Sequence, residues 1–179
     1  MIAEPSAGLF HEVGAGKTLV ALLAMATVVD SGGQAVLLAP TEVLAAQHHA
    51  SISALLGELA EAGTLLGGST GTQVVLLTGS ASAASRREAL LKIVAGEAGI
   101  VVGTHALLNE AVQFADLGLV VVDEQHRFGV EQRAALLERG SGTSRPHLLV
   151  MTATPIPRTV AMTVFGDLET STLTELPAG

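Results

Sequence analysis

Short runs of aliphatic and β-branched residues alternate along the chain with longer Ala- and Leu-rich stretches of helical period. The short runs predict strands at Gly8–His11, Gln34–Ala39, Gln73–Leu77, Gly99–Val102, Leu117–Val122, His147–Met151 and Ser171–Glu175. The stretches between them predict helices at Lys17–Asp30, Glu42–Leu56, Ala83–Ala95, Ala106–Ala111, Val130–Glu138 and Arg158–Phe165. Such alternation is the pattern of an α/β fold whose mostly parallel central sheet carries helices on both faces. Gly57–Thr72 and Gly140–Arg145, rich in Gly, Ser and Thr, predict loops, and the chain shows neither an internal repeat nor a heptad pattern. A length of 179 residues is enough for one well-buried core.

Composition sharpens this picture. Apolar residues make up 49% of the chain, yet Tyr, Trp and Cys are absent and only 4 Phe occur, so the core must be built from Ala, Val, Leu and Ile. That mixture suits parallel strands buried under Ala-rich helices. The absence of cysteine removes a disulfide framework and a thiolate metal site. No stretch reaches the ~18 uninterrupted apolar residues of a membrane span, and the start MIAEPSAG is unlike a secretory signal, so a cytoplasmic protein without a membrane partner is expected. A net charge of −8 argues against a surface that is basic throughout, leaving nucleic-acid contacts only as local features.

In open α/β sheets, ligands gather beyond the carboxyl ends of the strands, which directs attention to the residues that follow each predicted strand. After the first comes HEVGAGKT, residues 11–18, a phosphate-binding loop in all but its opening glycine, whose place His11 takes. Gly14, Ala15 and Gly16 let backbone N–H groups curl toward an anion at a helix N-terminus. Lys17, one of only two lysines in the chain, stands where the β- and γ-phosphates of a nucleotide would be met, and Thr18 where a hydroxyl would ligate Mg²⁺. After LGLVVV come Asp123 and Glu124, a pair suited to holding the metal and orienting the attacking water respectively. Thr152, Ala153 and Thr154 follow the sixth strand, and the two threonine hydroxyls are candidates for coupling nucleotide state to motion.

Taken in order, GAGKT, APTEVLAAQH, LTGS, VGTHALL, DEQHRFG and MTATPIPRT resemble motifs I, Ia, Ib, Ic, II and III of superfamily 2 helicases, most nearly the RecG family of ATP-dependent DNA helicases. The resemblance runs from about Gly8 to the end of the chain and implies a RecA-like P-loop NTPase lobe. It implies catalytic roles for Lys17, Asp123, Glu124, Gln125 and His126, with Gln125 sensing nucleotide and His126 linking to a neighbouring lobe. By the same resemblance Pro40, Thr41, Thr78, Gly79, Gly103, Thr104 and His105 contact branched or double-stranded DNA, and the activity is ATP-driven branch migration in recombination and repair. Gln125 separates the acidic motif from the DEEH usual in transcription-repair coupling factors, the related alternative.

Two departures from the family pattern carry expectations. His11 in place of glycine predicts retained but weakened nucleotide binding, because a side chain there must adopt negative φ and point away from the phosphates. The second RecA-like lobe, with its arginine fingers, and the wedge domain have no counterpart within the 179 residues, so the chain reads as a first lobe that binds nucleotide weakly and does not unwind DNA alone. A catalytically idle nucleotide- or DNA-binding module is the competing reading; a small P-loop kinase accounts for neither DEQH nor TATP. His48 and His49, lacking a ligand partner at useful spacing, read as solvated surface rather than a zinc site, as do Arg86, Arg87 and Glu88 as a solvated helix face.

Overall fold

A computed structural model describes residues 15–61, 72–123, 136–138 and 146–151. Helix α1 (Ala15–Asp30) leads to strand β1 (Gln34–Leu38), helix α2 (Glu42–Glu61), strand β2 (Val74–Leu77), helix α3 (Ala83–Val94), strand β3 (Ile100–Gly103), a 3₁₀ turn (His105–Leu108), strand β4 (Leu117–Asp123) and strand β5 (His147–Met151). The strands form one sheet in the order β2-β3-β1-β4-β5, and every pairing is parallel. The predicted strands Gly8–His11 and Ser171–Glu175, the helix Arg158–Phe165 and the loop Gly140–Arg145 lie outside the described residues, as does most of Val130–Glu138. Among the described residues no helix is long and apolar enough to cross a membrane.

The period-2 alternation of each strand sends side chains to two separate cores. Ala35, Leu37, Ile100, Val102, Leu119 and Val121 meet Ala21, Leu22 and Met25 of α1 and Ala45, Ile52 and Leu56 of α2 on one face. Val36, Leu38, Val75, Leu77, Val101, Val120 and Val122 meet Ala89 and Ile93 of α3, together with Ala106 and Leu107, on the other. Both layers are aliphatic, as the composition requires. The helix ends obey local chemistry. Ser85 N–H donates to the Ser82 hydroxyl at the start of α3, 3.1 Å away, and Gly96 at φ +76° supplies the left-handed residue that closes it.

Most bounds lie within two residues of the sequence expectation; two elements differ by more, or in type. Helix α2 continues through Gly57 to Glu61 instead of ending at Leu56, because apolar contacts at Ile52 and Leu56 carry it past a glycine that costs only about 1 kcal/mol in a helix. The stretch Ala106–Ala111 is not an α-helix but a single 3₁₀ turn at His105–Leu108. Asn109 turns extended at ψ 136°, and its side-chain carbonyl accepts from the Ala111 N–H at 2.9 Å, an alternative to the helical bond.

Gln34 opens β1 in the interior, only 2% exposed. Its amide nitrogen donates to the carbonyls of Ile93 at 3.0 Å and Ala98 at 2.8 Å, while its oxygen accepts from the N–H groups of Ala115 at 2.7 Å and Asp116 at 3.1 Å. One side chain thereby ties the end of α3 and both approaches to β3 and β4 at the amino edge of the sheet. Replacing it removes four bonds and leaves the carbonyls of the buried Ile93 and Ala98 without that partner. Gln34→Leu is expected to lower unfolding free energy by about 2–4 kcal/mol in urea titration, without change in the denaturant slope; a loss under about 0.5 kcal/mol, the usual range for surface changes, contradicts this.

Candidate nucleotide and nucleic-acid site

Because the five described strands run the same way, their carboxyl ends share one edge, and Pro40, Thr78, Thr104 and Asp123 are delivered to it. The chain leaves β1 toward β2 on one side and leaves β4 toward β5 on the other, which makes the β1/β4 boundary a topological switch point, the usual place for a ligand crevice.

Helix α1 begins at Ala15, so Gly16, Lys17 and Thr18 occupy its first turn, where N–H groups have no partner within the helix and the dipole favours an anion. Lys17 and Thr18 are both half-buried and Gly16 is exposed. Asp123 ends β4 and is buried, 8% exposed. Alternation puts it on the same side of the sheet as Leu119 and Val121, the side covered by α1 and α2. The start of α1 and the acid of β4 therefore belong to one layer. Gly14, Glu124, Gln125, His126, Thr152, Ala153 and Thr154 lie outside the described residues, as does His11.

The carboxylate of Asp123 is taken by a residue that sequence reasoning assigned elsewhere. His48 Nε2 lies 2.7 Å from Asp123 Oδ2, with side-chain exposures of 14% and 12%. His48 is thus not solvated surface. It sits in the core-facing stripe Ala45, His48, Ile52, Leu56 of α2, between two residues that are fully buried. That i, i+3, i+7, i+11 spacing was present in the sequence and is the signal that would have turned His48 inward. His49 points differently, its Nε2 3.2 Å from the carbonyl of Val74.

A second cluster forms where β1, β2 and β3 end. Glu42, the first residue of α2, accepts from the Ser80 N–H at 2.9 Å and from the Ser80 hydroxyl. A side chain at Gly79 would come within 3.1 Å of Glu42 Oε1 and 3.8 Å of the His105 ring, so the turn passes close beneath both. Three stretches far apart in the chain, Pro40–Glu42, Thr78–Ser80 and Thr104–His105, meet here. Within it Thr41, Gly79 and His105 are exposed and Pro40 is half-buried, whereas Thr78 and Thr104 lie beneath the surface. The Thr41 hydroxyl accepts from Leu44 N–H at 3.2 Å and caps α2. Thr104 Oγ1 has no hydrogen-bond partner among the described residues. Gly103 admits no side chain, since a Cβ there would collide with the Leu77 carbonyl and the Leu107 side chain. On α3, Arg87 and Glu88 are exposed and Arg86 half-buried, and Glu88 pairs with Lys92 at 2.8 Å.

Residues 9–163 match the family model described as DEAD/DEAH box helicase. The chain is 63% identical over 168 residues to the ATP-dependent DNA helicase RecG of Mycobacterium bovis, a match that covers 94% of this chain and 23% of that protein. To the RecG of Streptococcus pneumoniae it is 49% identical with the same coverage, 94% and 23%. The solved structure of RecG bound to a three-way DNA junction superposes with a TM-score of 0.65 at 35% identity, over 87% of this chain and 19% of that one. The chain therefore spans about a quarter of the length of the curated relatives it matches.

The Ser80 hydroxyl first, then the Ser80 and Gly79 amides and the facing His105, hold the Glu42 carboxyl below its ordinary value of 4.5. A lowered carboxyl contributes its contact above the ordinary value and loses it as pH falls through the lowered one. The Ser80 amide resonance is expected to report a titration whose midpoint lies below 4.5. In Glu42→Gln that low-pH movement should vanish; a Ser80 titration that survives the substitution contradicts the assignment.

Proposed function

Because the chain belongs to the DEAD/DEAH box helicase family, whose members use nucleotide to work on nucleic acid, and has the parallel, helix-flanked sheet of its RecA-like lobes, we propose that it is the first motor lobe of a RecG-type DNA helicase. Its role is to bind ATP and, together with a second RecA-like lobe and a wedge domain, to couple hydrolysis to migration of branched DNA. The observation that carries the reading is the common layer of α1 and Asp123, a helix opening with Gly16, Lys17 and Thr18 on the face toward which the β4 acid points.

The first turn of α1 receives the phosphates on its free N–H groups, and Lys17 adds an ammonium at the β- and γ-positions. Thr18 and Asp123 are hard oxygen donors of the kind magnesium takes. Such a site needs only one or two protein oxygens beside those of phosphate and water, so the donor set fits without a larger cage. Magnesium held by these two residues would supply positive charge to offset that of the phosphates. We assign Glu124 to the attacking water, Gln125 and His126 to nucleotide sensing and the contact with the second lobe, and Thr152, Ala153 and Thr154 to coupling. The exposed Thr41, Gly79 and His105 make the nucleic-acid side. Backbone amides and hydroxyls can hold phosphates there without a basic surface, and the Glu42 carboxylate in their midst is already occupied by Ser80.

An ammonium lost from a phosphate contact costs about 1.5–3 kcal/mol, which is roughly tenfold or more in affinity. Isothermal titration is expected to show MgATP binding to the chain that weakens by about tenfold or more in Lys17→Ala. Equal affinities for the two proteins would remove the nucleotide site from this helix.

A further inference from the structure

The shallow groove of α3, the unpartnered buried hydroxyl of Thr104 and the contact of His48 with Asp123 are features to which no function has been assigned. The groove is lined by Arg86, Leu90, Leu91 and Val94, with nothing to indicate an occupant. The pair carries more.

An ionised carboxylate only accepts hydrogen bonds, so the 2.7 Å contact places the proton on His48 Nε2 and makes the imidazole the donor. Both groups are nearly out of water, with exposures of 14% and 12%, where a polar atom without a partner is costly. The imidazole is itself held. It stands on α2 between Ala45 and Ile52, each with no exposed surface, so helix packing sets where Nε2 lies. A donor held on Oδ2 restricts rotation of the carboxylate and so biases where its other oxygen points. The bond also crosses the β1/β4 switch point, joining the helix that follows β1 to the acid that ends β4.

We propose that His48 is a positioning residue for Asp123. By holding Oδ2, it aims the carboxylate for the metal of a bound metal–nucleotide, and this inference rests on the reading of Asp123 as the metal-side acid. Outer partners of this kind typically change metal affinity or activity by about 10- to 100-fold when removed. The consequence is selective. His48 matters to nucleotide carrying magnesium and not to nucleotide alone, because the phosphates and Lys17 are untouched by the substitution.

The test is isothermal titration of the chain with ATP in excess magnesium and, separately, with ATP in a chelator. His48→Ala is expected to weaken MgATP binding by about tenfold or more while metal-free ATP stays within about twofold. His48→Leu fills the apolar stripe between Ala45 and Ile52 and should reproduce the selective loss if the smaller side chain unsettles the fold. His48→Gln, whose amide nitrogen reaches the place of the ring Nε2, should retain most of the magnesium gain. Equal weakening of both forms in His48→Leu, or no weakening, overturns the proposal, as does a His48→Gln no better than His48→Leu. Asp123→Asn separates the two levels of the argument. If wild type gains from magnesium and Asp123→Asn does not, an intact gain in both His48→Ala and His48→Leu overturns the positioning role alone. If wild type shows no magnesium gain, the metal role of Asp123 falls and the proposal with it.

Discussion

Five parallel strands can be joined only by crossovers that carry the chain back over a face of the sheet, and every strand then ends at the same edge. That constraint governs the molecule. It gives the sheet two covered faces and hence two aliphatic cores, built without tyrosine or tryptophan. It brings residues some forty to seventy-five positions apart into contact, as Glu42 with Ser80 and His48 with Asp123 show. The opposite edge is held by different means, the fully bonded Gln34 amide, so that the carboxyl edge is left to the polar turns.

The two polar clusters at that edge differ in depth. Glu42 and Ser80 lie near the surface, with Thr41, Gly79 and His105 exposed around them, and suit contact with a large partner. Asp123 and His48 lie deeper, on the face under α1 and α2, and suit a small charged ligand that must be shielded from water. Helix α2 belongs to both. Its first residue holds the Ser80 turn, and His48, six residues further and so about 9 Å along the axis, holds the acid.

Much of this was legible beforehand because the patterns are local. Runs such as QAVLL and LGLVVVD announce buried strands by composition and length, and the five described strands fall within a residue of the expected bounds. The places of Asp123 at the end of β4 and of Gly16, Lys17 and Thr18 at the start of α1 follow from the same local patterns. What escaped depends on contacts between elements. Gly57 looked like a loop start until the packing of Ile52 and Leu56 carried α2 beyond it. His105–Leu108 lacked the length to show that Asn109 would stop it after one turn. His48 looked solvated because it lacks a metal-ligand partner at useful spacing along the chain, and its partner Asp123 lies 75 positions away.

The central claim is that the turn opening α1 and the acid ending β4 serve one triphosphate. The most direct measurement is a crystal structure of the chain with magnesium and a non-hydrolysable ATP analogue. The account predicts phosphates on the first turn of α1, Lys17 Nζ against the β- and γ-oxygens, and the ion between the Thr18 hydroxyl and Asp123, directly or through one water. A nucleotide seated away from α1, or an ion whose ligands and water shell do not include Asp123, would contradict it.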